Sequence, residues 1–375
     1  MSSDGYKSYI NCQDSETATA MMNVFHNDSD GSVGNDSDLS QSSISLKLQI
    51  GMTFAYVIIF IISLVGNALM IYVIHKTPRL RTTTNLLVAN MAVADVIITF
   101  FAVPSTVMYL YLQHIWLSGV IGDITCKVVQ YGLTLSIAAS VLTHILIAID
   151  RFICVVFPFK RVTFFKKVRP SYVLTWCASL LLMSPHLVVY DSAKLPNGKS
   201  YCTVSRLEYL YFLEIYYVLV FVTLYLIPLL FIATLYAFIC RKLWRHKVPG
   251  VRSPDLILKR EFQNKNTIKM LIILVIAFTL CWLPVHVVHL LEYFRPELHL
   301  PHVALLLSFW ACHSHSAINP LLVVFLNGLY RKECQEKINK KLASLSIKRS
   351  TGTNIVLAPQ MRTAISRAPS PQALG

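Results

Sequence analysis

Residues 50–74 read IGMTFAYVIIFIISLVGNALMIYVI, a run of 25 residues without one Asp, Glu, Lys or Arg. Each residue of an α-helix adds about 1.5 Å, so about 20 apolar residues cross the roughly 30 Å of a bilayer's hydrocarbon. Further runs of that kind follow at about Leu86–Leu112, Val128–Ile149, Ser171–Tyr190, Ile215–Cys240, Met270–Leu291 and Leu298–Leu326. Across all seven, Asp95 is the single formally charged residue. The chain of 375 residues is 55% hydrophobic and 14% charged, against about a quarter charged in soluble domains. Buried helices of a soluble protein need a covering layer that this chain does not possess. The reading is an all-α membrane protein, a bundle of seven spanning helices.

Placement of the +15 net charge sets the topology and argues against nucleic acid. Basic residues crowd behind the first span (Lys76, Arg79, Arg81), the third (Lys160 to Arg169), the fifth (Arg241 to Lys265) and in the C-terminal tail. Loops rich in Lys and Arg stay in the cytoplasm, so the N-terminus is expected outside and the chain at the plasma membrane. Residues 1–49, acidic and rich in Ser and Asn, read as a disordered external tail. They lack the apolar core of a cleavable leader, so the first span is expected to serve as the insertion signal. Asn27 and Asn35 each begin a glycosylation sequon there. Residues 50–335 form the membrane domain and 336–375 a cytoplasmic tail.

Each span also carries one signature. Gly66-Asn67 lies in the first; Leu86, Asn90, Ala94 and Asp95 in the second; Asp150-Arg151-Phe152 ends the third; Trp176 lies in the fourth. Pro228 and Tyr236 follow in the fifth, Phe278 with Cys281-Trp282-Leu283-Pro284 in the sixth, and Asn319-Pro320 in the seventh. In this order the set resembles the rhodopsin-like G-protein-coupled receptors, and in character their neuropeptide branch. The resemblance covers about residues 50–335 and implies a short amphipathic helix after the seventh span. It also implies a heterotrimeric G protein, arrestin and membrane lipid as partners.

The cysteines supply a separate check. Cys126 stands 25 residues before Arg151, about 37 Å of helix, so the two occupy opposite membrane surfaces. Cys202 belongs to the external loop before span five. Outside the cell is oxidising, and a Cys126–Cys202 disulfide matches the family's. Cys334, in the basic segment after the last span, is expected to be palmitoylated.

A carboxylate in mid-span must face the bundle interior and meet a partner. The resemblance makes Asp95, Ser140 and Asn319 a sodium pocket, the one ion expected; no other metal or cofactor is. It makes Arg151, held by Asp150, the group that releases to meet the G protein, with Asn264 where many relatives have an acidic partner. Pro228 and Pro284 interrupt helix bonding and provide bends; the resemblance places Pro320 in the seventh-helix switch motif and makes Val141, Pro228 and Phe278 a cluster relaying contact from Trp282. Two departures stand out. Val323 replaces the tyrosine that meets Tyr236 on activation, and His144 occupies an otherwise apolar layer. His144 either satisfies itself structurally on a carbonyl or water, or stands in for the missing phenol.

Leu133, where amine receptors carry an aspartate, argues against an amine, and His313, where opsins carry a lysine, against retinal. Asn197-Gly198 is a preferred pair for a tight hairpin, and peptide receptors have such a lid. Gln130 and Thr134 stack on helix three, Trp282, His286 and His289 share a face of helix six, and Phe309 and His313 share one of helix seven. Glu214 and Glu292 are expected to take a ligand arginine, although Glu292 is also spaced to pair with Arg295. A peptide receptor is the expected function. The competing readings are a receptor for a lipid or other small ligand, and a proton-sensing or constitutively active one, motivated by His289, His299 and His302. No nucleophile and base, or metal-ligand set, recurs at useful spacing, so no enzyme is expected.

Overall fold

A computed structural model describes residues 44–112, 115–157, 168–194, 198–204, 215–216, 218–245, 254–295, 298 and 300–340. Seven helices in it are long and apolar enough to cross a membrane. They are α1 (Leu46–Lys76), α2 (Thr83–Leu112), α3 (Gly119–Val156), α4 (Pro170–Val189, with a break after Met183), α5 (Val218–Leu243), α6 (Pro254–Phe294, its apolar span Asn264–Leu291) and α7 (His302–Leu326). The expected amphipathic helix follows as α8, residues 328–340.

The bundle is turned inside out relative to a soluble protein. Phe54, Ile61, Val65, Leu181, Leu280 and Phe325 lie on the outside, while Ser63, Asn67, Asp95, Thr99 and Asn319 are buried. In water each such exposed side chain would forgo about 1.5–3 kcal/mol of burial; against lipid tails it forgoes little. Polar side chains therefore bind the helices to one another. Asn67 Nδ2 on α1 donates to the Ser316 carbonyl on α7 at 2.9 Å. Asn90 on α2 donates to Thr143 on α3 at 2.9 Å and accepts from Trp176 Nε1 on α4 at 3.1 Å.

Three spans differ from expectation, each through proline. Pro185 interrupts α4, and a separate turn over His186–Val189 completes the crossing. Before Pro228 the backbone opens into a wide turn over Val222–Leu226, since proline cannot donate to Leu224 and crowds its carbonyl. Pro301 caps α7, which starts at His302 rather than Leu298. α3 reaches back to Gly119 and α6 to Pro254, through turns whose charged residues break the apolar runs.

Close approach of α1 and α7 depends on Gly66, where a Cβ would sit 2.7 Å from the Pro320 ring. Pro320 is rigid and buried, so the neighbour cannot yield cheaply. Gly66→Ala is expected to lower the purified protein's melting temperature by several degrees, an overpacking cost of about 1–3 kcal/mol. An unchanged melting curve would mean that the two helices stand further apart.

Candidate functional site

Above the bundle, β2 (Tyr190–Lys194) and β3 (Ser200–Val204) pair antiparallel, Lys194 against Ser200. Gly198 between them takes φ 79°, a left-handed conformation that glycine adopts without strain. The strand pairing foreseen from the sequence thus forms, while Asn197 of the expected turn lies outside the described residues, and a strand not foreseen, β1 (Ile115–Trp116), adds to the far edge of β3. Two residues carry no periodicity by which to find it.

This lid is fastened to α3. A disulfide joins Cys126 to Cys202, with Cα atoms 5.5 Å apart. Asp123 accepts from the Ser192 backbone N–H at 2.9 Å, and Lys127 pairs with Asp191 at 2.7 Å. Ser192 Oγ reaches the Leu117 carbonyl at 2.6 Å. Gln130 lies one turn below Cys126, its Nε2 3.9 Å from Cys202 Sγ. Thr134 turns its hydroxyl onto its own helix, to the Gln130 and Tyr131 carbonyls.

The helix-six wall divides. His286 faces α5, its ring 4.5 Å from Tyr225 and 5.2 Å from Phe221. His289 faces α7, 5.9 Å from Phe309, which stacks on His313 at 6.1 Å. His313 Nδ1 in turn meets the hydroxyl of buried Tyr56 at 3.2 Å, bringing α1 into a wall that the sequence assigned to α3, α6 and α7. Trp282 lies deeper, buried, 5.9 Å from Phe278. Glu214 and the side chain of Glu292 lie outside the described residues.

Below Trp282 is the polar centre. Asp95, 2% exposed, accepts from Asn319 Nδ2 at 2.8 Å. Its other carboxylate oxygen is 4.0 Å from His315 Nδ1. His315 went unnoticed in the sequence because His313, Ser314, His315 and Ser316 differ only in which way the helix turns them. Ser140 Oγ and Asn319 Oδ1 are buried without a hydrogen-bond partner among the described residues. Val141, Pro228 and Phe278 do come together, lining a cavity with His144 and Tyr225.

At the opposite end Asp150, 3% exposed, accepts from Thr84 Oγ1 at 2.6 Å and from Arg151 Nη2 at 2.7 Å and Nε at 3.1 Å. Arg151 is thereby folded back along its own helix. Asn264 is exposed. Tyr236 and Val323 are buried in one cluster. Cys334, expected as a lipid-attachment point, is 5% exposed and packed in that same cluster with Tyr330. Burial pushes its thiol pKa up, reducing the thiolate that acylation needs.

A family model described as "7 transmembrane receptor (rhodopsin family)" matches residues 66–322. Among curated proteins, the chain is 28% identical over 306 residues to "Neuropeptide FF receptor 1" of Rattus norvegicus, covering 77% of this chain and 70% of that one. It is 30% identical over 293 residues to "RYamide receptor" of Drosophila melanogaster, covering 74% and 60%. "QRFP-like peptide receptor" of Branchiostoma floridae is 28% identical over 324 residues, with 84% of each chain covered.

Proposed function

The chain belongs to the rhodopsin family of seven-transmembrane receptors, and from that premise we propose that it binds an extracellular peptide and activates a heterotrimeric G protein through Arg151. The observation that carries the peptide is the three-stranded lid, tied by Cys126–Cys202 to the helix that begins the binding wall. A stiff lid fixed at one side keeps a cleft open for a chain to enter, and an aromatic and imidazole wall suits peptide side chains and amides. Two of the three relatives carry "neuropeptide" or "peptide" in their names.

The orientation belongs to the same proposal: the lid and the tail with Asn27 and Asn35 outside, and α8 and the basic loops within, where arrestin and anionic lipid act. Agonist contact at His286 or His313 displaces Trp282, Phe278 follows at the Pro228 cavity, and α6 swings about Pro284. Arg151 then leaves Asp150 for the G protein.

A sodium ion fits the polar centre, because a carboxylate and two buried, unpartnered oxygens form a donor set of the kind that hard cations prefer. Asp95, Ser140 and Asn319 would hold it; its charge would stabilise the carboxylate in the resting arrangement. Raising sodium is therefore expected to weaken agonist binding several-fold in the parent receptor and to leave Asp95→Asn unmoved; equal sodium sensitivity in both would place the ion elsewhere.

The ligand is sought by exposing cells that express the receptor to a neuropeptide library and reading second messengers, with lipid and pH-step arms. A peptide hit is expected, and His313→Ala is expected to lower its potency about tenfold or more. A response confined to the lipid or pH arm would overturn the peptide reading.

A further inference from the structure

Six of the nine buried side-chain atoms without a hydrogen-bond partner among the described residues belong to α1, α3, α6 and α7: Asn67 Oδ1, Ser140 Oγ, His144 Nε2, Trp282 Nε1, His315 Nε2 and Asn319 Oδ1. Leaving a polar atom unsatisfied in an apolar interior costs on the order of 1–3 kcal/mol, so such a concentration points to solvent held within the protein. Two of the atoms belong to neighbouring rings. The rings of His144 on α3 and His315 on α7 lie 6.3 Å apart, centre to centre, with planes at 54°. Both pack on Phe278 of α6, at 5.4 Å and 5.1 Å.

We propose that His144 and His315 hold a buried water between them, a clasp that joins α3 to α7 behind Phe278 and extends the Asp95 network one step toward the cytoplasm. A direct imidazole hydrogen bond, with nitrogens about 3 Å apart, needs centroids about 5 Å apart. The observed separation is too long for that and suits one water, which can serve both nitrogens in either tautomer. The neighbouring cavity beside Pro228 is a poorer home. Val141, Leu229, Ile232, Val275 and Phe278 make its wall apolar, and the Tyr225 hydroxyl is engaged with the Thr279 carbonyl at 3.0 Å. A buried water needs two to four polar partners; the two imidazoles offer two unsatisfied nitrogens, whereas the cavity, which His144 also lines, adds to that residue a Tyr225 oxygen that is already donating elsewhere.

The clasp closes behind the residue that has to move when α6 swings out, so it belongs to the resting state. Two measurements test it, the first independent of any ligand or G protein. A high-resolution cryo-EM map of the unmodified receptor in nanodiscs is expected to contain density within hydrogen-bond reach of both Nε2 atoms. A map that resolves other buried waters but leaves this gap empty, or puts the water in the Pro228 cavity, overturns the proposal. The second measurement compares basal nucleotide exchange on a G protein for His144→Leu, His315→Leu and the double variant, at equal amounts of folded receptor. Each single change is expected to raise basal exchange several-fold and the double to raise it no further, since either one empties the same site. Additive increases overturn the clasp, as does no change. A fall in exchange for His144→Leu also does, and would favour the alternative in which His144 replaces the missing phenol opposite Tyr236.

Discussion

Replacing Cys126 or Cys202 with Ser is expected to abolish binding of a labelled agonist, and the double replacement to lower thermal stability no further than either single. The bond closes a segment with a sequence separation of 76 residues, for which chain-entropy arguments give on the order of 4 kcal/mol. What else fastens the lid cannot compensate. The Lys127–Asp191 pair is about one-third exposed, and solvent screens such a pair to at most about 1 kcal/mol. Ser192 adds one ordinary hydrogen bond and one to the Asp123 carboxylate, both local ties that no longer act once the hairpin detaches. With the disulfide gone, the β2–β3 hairpin is no longer held covalently against α3. Saturation binding on intact cells, with surface receptor quantified, reads the first effect. Additive losses of stability in the double variant would mean that the two cysteines act separately.

The second large effect is expected at the cytoplasmic end. One carboxylate oxygen, Asp150 Oδ2, accepts from Thr84 and twice from Arg151, and the group is almost wholly buried. Neutralising it in Asp150→Asn weakens charge-assisted bonds worth about 1.5–3 kcal/mol. If they hold only the resting state, each 1.4 kcal/mol shifts the resting-to-active ratio by about tenfold. Basal nucleotide exchange is therefore expected to rise about tenfold. Arg151→Ala is expected to remove both basal and agonist-driven exchange, since it deletes the group that is released. Unchanged basal exchange in Asp150→Asn, at matched expression, would mean that this pair does not restrain the receptor.

The spans were legible in the sequence because hydrocarbon leaves the chain few options: a backbone without water must bond within itself, and runs such as residues 50–74 fit nothing else. Asp95 was legible for the same reason, as a charge that lipid will not tolerate unpaired. The first turns of α3, with Asp123, Thr125 and Lys127, and those of α6, with Lys259, Arg260 and Lys265, left no such mark. They lie beyond the apolar runs, where hydropathy carries no information.

Within the site, helical spacing put Trp282, His286 and His289 on one face. It could not say that neighbouring helices divide that face, Tyr225 taking His286 and Phe309 taking His289. Nor could it single out His315 from its three polar neighbours, because the choice depends on how α7 is rotated against Asp95. Cys334 illustrates the same limit. Its distance from the last span fits lipid attachment; that α8 turns the thiol, together with Tyr330, into the buried cluster is set by packing and has no mark in the sequence. Distances along the chain predicted which elements meet; contacts between helices decided which atoms do.

The most direct test of the peptide-receptor account is nucleotide exchange on a purified heterotrimeric G protein, driven by the receptor in nanodiscs as peptides from the responding library fraction are titrated in. The account predicts a saturable, peptide-dependent rise that is absent in Arg151→Ala and shifted to higher peptide concentration in His313→Ala. Exchange that a lipid or other small ligand drives through Arg151, while every peptide leaves it at the basal rate, would contradict it.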